Sequence, residues 1–139
     1  MVIEQIRRNA LALVSLMVAF AALGYNTWRN EQTEANRNVR QAGFEMLMHI
    51  GELQRITYVT HYDQDHELGN PRRGWVEVLV LRDLGQLVRR RHPLRVEPLY
   101  QAWKSQWDSL GEDEAAVEAI DAALDNLRQD VLATLKQLE

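Results

Sequence analysis

The chain has no cysteine. That absence excludes disulfides, thiolate nucleophiles, zinc ribbons, iron-sulfur clusters and covalently attached c-type haem, and it removes cysteine usage as a guide to compartment. Glycine and proline are scarce, seven and three in 139 residues, which points to long helices joined by few connections. No pairing of nucleophile with base, no phosphate-cradling glycine loop and no metal triad appears, so an enzyme is not expected. A net charge of -4 and a pI near 5.6 give no reason to expect a nucleic-acid partner. With 46% hydrophobic and 26% charged residues the chain is neither disordered nor polytopic, and it allows one compact domain beside an apolar N-terminus.

What is present starts with that N-terminus. Residues 10–25 carry no charge, with Ser15 the only clearly polar side chain, and Asn26, Thr27 and Trp28 extend the uncharged run to nineteen positions. A span needs about 20 mainly apolar residues, with about 17 at the lower end. A cleaved signal is the alternative: Arg7 and Arg8 would be its basic start, residues 10–18 its core and Ala19-Phe20-Ala21 its small-x-small site. The far side of the run decides between them. Tyr25, Trp28, Gln32, Ala35, Val39, Ala42, Met46 and Leu53 keep helical spacing, and no proline or glycine interrupts between Tyr25 and Ala42. One long helix that leaves the membrane and enters a water-soluble domain is therefore expected, with Tyr25 and Trp28 as interfacial anchors.

Basic residues lie on both sides of the run, Arg7 and Arg8 before it and Arg29, Arg37 and Arg40 after it. Because the Arg7-Arg8 pair abuts the apolar residues, the N-terminus is expected in the cytoplasm and the remainder outside. Ala12, Ser15, Ala19 and Ala22 recur at spacings of three, four and three, one stripe of small side chains where a second membrane helix fits closely. A homodimer or a membrane partner is the expectation drawn from it.

Beyond the first helix the chain breaks at HYDQDHELGNPRRG, residues 61–74. His61, Asp63, Asp65, His66 and Glu67 raise the question of a metal. As a calcium loop the stretch has Leu68 where the turn needs glycine and Gly74 where a bidentate glutamate closes the site; as a zinc protease motif it lacks the second histidine. A polar connection between antiparallel helices is the plainer reading, and no cofactor is implied. Glu45 and His49 form a single i,i+4 pair, with no second motif to complete a two-metal core.

Trp75, Val76, Val78, Leu79, Val80 and Leu81 are rich enough in β-formers to raise a strand, but no other segment offers it a mate, so helix is expected. Arg89, Arg90, Arg91, His92, Pro93, Leu94 and Arg95 form the strongest local charge signal. It reads as an anion contact or, more plainly, as a helix end that complements the dipole before proline. Trp103 and Trp107 lie one turn apart and, with Trp75, form either core or an aromatic ligand pocket. The final segment is the most regular, with Val117, Ile120, Leu124, Leu127, Val131, Leu135 and Leu138 in 3-4 spacing.

The expected fold is all-α: a cytoplasmic tail and transmembrane anchor over residues 1–28, continuing into an antiparallel four-helix bundle over 29–139 with helices at about 29–62, 75–91, 97–110 and 112–138. In helix order and anchor placement it resembles the helical-bundle sensor domains of bacterial single-pass receptors, and it is similar to short single-pass bacterial membrane proteins of unassigned role. That resemblance implies a bacterial inner-membrane protein with a periplasmic domain. With no second span or signalling module, an accessory role is expected in place of a complete receptor. The function expected is a non-enzymatic, membrane-tethered interaction module whose partners are the bilayer and a protein or second copy; the alternative is a bundle that senses a small molecule or metal.

Overall fold

A computed structural model describes residues 2–65, 67–88 and 94–138. Among them every regular element is helical: α1 Val2–Tyr58, a π-helical turn Val59–Asp63, α2 Pro71–Val88, α3 Val96–Gln106 and α4 Glu114–Lys136. The chain divides into two compact units, Met1–Arg37 and Asn38–Glu139.

In the first unit every residue from Asn9 to Ala35 is exposed. The hydroxyls of Thr27 and Thr33 donate to the carbonyls of Leu23 (3.0 Å) and Arg29 (2.9 Å), one helical turn back, so neither depends on water for a partner. By length and composition α1, near the N-terminus, is long and apolar enough to cross a membrane. The compact units part at Arg37, after a stretch rich in polar residues.

The second unit has one apolar core to which all four helices contribute. α1 supplies Val39, Ala42, Met46, Ile50, Leu53 and Ile56; α2 supplies Val78, Leu81 and Val88; α3 supplies Val96, Leu99 and Trp103; α4 supplies Val117, Ile120, Leu124, Leu127 and Val131. Each set recurs at the helical period, which turns one stripe inward. Burying each large side chain contributes about 1.5–3 kcal/mol.

Local chemistry fixes where the helices stop and start. Asn70-Pro71 opens α2, earlier than the Trp75 start read from the sequence: the Asn70 side chain accepts from the Arg72 N–H (3.0 Å), and Pro71 takes the first helical position, where no N–H is needed. At the end of α1 the chain turns through Gln64, a non-glycine residue in the left-handed region at φ 52°. It then returns across the helix end. Gly69 approaches so closely that an added Cβ would stand 2.6 Å from the Thr60 nitrogen, so only glycine fits. Thr60, itself buried, has its hydroxyl between the carbonyls of Ile56 and Gly69. α3 ends at Gln106, shorter than expected, and hydrogen-bonded turns carry the chain to Asp113, whose carboxylate caps α4 by accepting from the Ala115 N–H (3.0 Å).

Candidate functional site

The small-residue stripe lies within the first unit, where Ala12, Ser15, Ala19 and Ala22 are all exposed along α1. Tyr25 and Trp28 follow, both exposed, with ring centroids 6.1 Å apart. Two amphipathic rings so placed suit a water-lipid boundary.

Two of the acidic and imidazole residues of the connecting loop, His61 and Asp65, have structural work of their own. His61, on the π-helical turn, has Nδ1 2.8 Å from the Leu110 carbonyl. A carbonyl only accepts, so Nδ1 carries the proton and donates, and in the neutral ring Nε2 is left with the lone pair. Asp65 accepts from the backbone N–H groups of Glu67 (2.8 Å) and Leu68 (3.0 Å) and closes the turn. Asp63 and Glu67 are exposed, and His66 lies outside the described residues. Glu45 is 3.4 Å from the Gln41 amide, and His49 Nδ1 is 2.6 Å from Glu77 Oε2 across α1 and α2. Among the described residues no group of three or more histidine or carboxylate side chains is placed to hold a metal ion.

The tryptophans divide. Trp103 is fully buried against Gly74, and its indole N–H has no hydrogen-bond partner among the described residues. Trp75 and Trp107 are half-buried and form an outer cluster with Tyr100: Trp75 lies 5.9 Å from Tyr100 and 6.3 Å from Trp107, in edge-to-face geometry. The Arg82 guanidinium sits over the Tyr100 ring, 4.5 Å from its centroid, and 3.7 Å from Glu97. All three tryptophans thus belong to the core or its margin, Trp103 within it and Trp75 and Trp107 packed against it.

Of the basic run, Arg89, Arg90 and Arg91 lie outside the described residues. Arg95 is engaged within the fold. Its guanidinium reaches both Asp130 oxygens (2.6 and 2.8 Å) and Asn126 Oδ1 (2.9 Å), and its own backbone N–H donates to Asp130 (2.9 Å). The Asp130 hydrogen bond holds the Arg95 pKa above its ordinary value. This clamp ties the entry of α3 to α4.

One polar feature escapes sequence reading entirely. Gln54 on α1 donates to Asp121 Oδ1 on α4 (2.7 Å), Tyr58 O–H donates to Asp121 Oδ2 (2.9 Å), and Arg128 donates to Gln54 Oε1 (2.6 Å). The hydrogen bond to Asp121 raises the Tyr58 pKa above that of an ordinary phenol, and partial burial adds to it. Nearby, the hydrogen bond from Arg55 holds the Glu52 carboxyl below the usual carboxylate range. No motif marks Gln54, Asp121 and Arg128; all three are half-buried polar residues beside an apolar stripe.

No family model, curated protein or solved structure matches this chain.

Proposed function

We propose that the protein is a non-enzymatic, membrane-tethered interaction module, an accessory or scaffold subunit held by one N-terminal span in a bacterial inner membrane with its helical domain in the periplasm. The observation that carries this reading is the contrast along α1: uniformly exposed from Asn9 to Ala35, and apolar over most of that stretch, it enters a core only at Val39. At about 25 cal/mol for each Å² of apolar surface, so long an exposed apolar helix is unfavourable in water and at home in lipid. An antiparallel four-helix arrangement is supported by contacts of α1 with α4 and the residues just after it, in which Arg40 meets the Leu138 carbonyl while Tyr58 meets Asp121.

Fractionation with N-terminal sequencing of the mature protein tests the tether. An alkali-resistant membrane chain starting at Met1 is expected, and a soluble chain starting at Ala22 overturns it. Within the anchor, the stripe of Ala12, Ser15, Ala19 and Ala22 is read as the face that packs on another membrane helix. Ser15→Leu with Ala19→Leu should weaken self-association in a membrane reporter, and unchanged association removes that role.

The half-buried cluster of Trp75, Tyr100 and Trp107 beside Arg82 favours the second reading, a bundle that senses a small molecule. Its metal version rests on the His61 to Glu67 loop. A ligand that binds only the native state raises its apparent stability, so a divalent-ion titration followed by thermal melting decides the metal version: no shift discards it.

A further inference from the structure

We propose that the outer face of α1 in the second unit, centred on Phe44, Met48 and Gly51, pairs in parallel with the same face of a second copy of this chain; the inference rests on the membrane-tethered reading. Met46, Ile50 and Leu53 turn inward, yet Phe44 and Met48 on the opposite side are 57% and 75% exposed. Gln41, Phe44, Met48, Gly51 and Arg55 follow one another at spacings of three, four, three and four, the seam of a two-stranded coil. Gly51 sits in mid-helix, and a Cβ added there meets nothing within 4 Å. No contact among the described residues calls for glycine at that position, which lowers helix propensity by about 1 kcal/mol relative to alanine. On a seam, its missing side chain lets a second backbone come close.

Charge selects the occupant. In a parallel pair of identical helices, the residue flanking the seam on one side faces the residue five places further along in the copy. Arg40 thereby faces Glu45 of the second copy, and two-fold symmetry makes the pair twice. In the single chain one Arg40 nitrogen donates to the Leu138 carbonyl (3.1 Å), which leaves other guanidinium N–H groups for a carboxylate. Two copies inserted the same way into one bilayer run in parallel, as this pairing requires. α2 also exposes apolar residues, Val76, Leu79 and Leu87, but parallel pairing there sets both Arg72 and Asp83 against their own copies, whereas the α1 seam sets one charge against itself, Arg55 at its end, and that guanidinium is already paired with Glu52 at 2.6 Å. Two large side chains and a glycine fall well short of the roughly 800 Å² per partner of a stable dimer. The contact is therefore weak in free solution and becomes significant where the anchors raise the effective concentration.

Because the chain has no cysteine, disulfide trapping of single-cysteine full-length chains in membranes tests the pairing. Met48→Cys should give far more oxidised dimer than Leu79→Cys on α2 or Gln129→Cys on α4, all three being exposed positions. On the Met48→Cys background, Arg40→Glu or Glu45→Arg should lower the yield several-fold, and the two together should restore it. A Met48→Cys yield no higher than at the other two positions overturns the pairing, as do charge reversals that change nothing or fail to rescue each other. Sedimentation of the same samples separates the two readings: a chain absent from the membrane pellet overturns the tether and the pairing with it, whereas a pelleted chain without excess dimer overturns the pairing alone.

Discussion

Gly74→Ala should destabilise the second unit even though alanine is the better helix former. Gly74 lies in the first turns of α2, where alanine contributes at most about 1 kcal/mol of propensity. Against that, the new Cβ would stand 2.1 Å from Trp103 Cζ2, 2.4 Å from Cη2 and 3.1 Å from Leu53 Cδ1. Trp103 and Leu53 are both fully buried, so the rigid indole has no open space to turn into. Overpacking typically costs about 1–3 kcal/mol, and an overlap this deep falls at the upper end. The net loss is about 2 kcal/mol, or roughly 10 °C in Tm for a domain of this size. Gly51→Ala is the internal control: its Cβ meets nothing, so in dilute, detergent-solubilised protein it should raise stability by about 0.5–1 kcal/mol. Thermal and urea melts of the two full-length variants supply the comparison. Equal or greater stability for Gly74→Ala would refute the close packing of α2 on α3, and opposite signs for the two glycines support it.

Three further outcomes follow from the polar contacts. Because the folded-state pKa of Tyr58 is raised, its contribution to stability is fully present below the ordinary tyrosine pKa of about 10 and is lost as pH rises through the folded value; Asp121→Asn should bring the last phenolate transition in the ultraviolet titration to lower pH, and an unchanged curve would contradict the Tyr58–Asp121 hydrogen bond. Thr60→Val keeps the shape but removes the hydroxyl shared by the Ile56 and Gly69 carbonyls, with an expected cost of about 1–2 kcal/mol and faster amide exchange around residues 67–70; normal exchange there would show that the loop is held by other contacts. Asp113→Ala should cost about 1 kcal/mol through loss of the α4 cap, and Asp113→Asn much less; equal losses would mean that the side-chain oxygen is not the capping group.

The helices were legible because their information is local. The 3-4 spacing of Val117, Ile120, Leu124, Leu127 and Val131 marks an inward stripe, and in the structure these residues are buried in the core. The start of α2 was also legible in principle, since Asn70-Pro71 is a helix-opening pair, but the loop residues of 61–74 drew the boundary forward to Trp75. The strand alternative at residues 75–81 yields to a helix in the structure, and the core it joins explains the run: α2 is apolar on its inward face at Val78 and Leu81 and also outside at Val76 and Leu79. Periodicity cannot separate those two faces. Only packing against α1 and α3 does, with Leu53 and Trp103 closing on α2 at Gly74 and Met46 and Val96 at Gly85.

For the candidate sites the balance differs. Sequence alone determined that one N-terminal segment is long and apolar enough for a bilayer and that thiolate chemistry is impossible, because both depend on residue type and run length. It could not determine that Arg95 clamps Asp130, that Gln54 joins Asp121 to Arg128 while Tyr58 also meets Asp121, or that Trp103 is fully buried while Trp107 is half-buried at the margin of the core. Those facts join residues far apart along the chain. Local hydrogen bonding and helical period decide which residues share a face of one helix, whereas the pairing of faces from different helices exists only once the chain has folded them together.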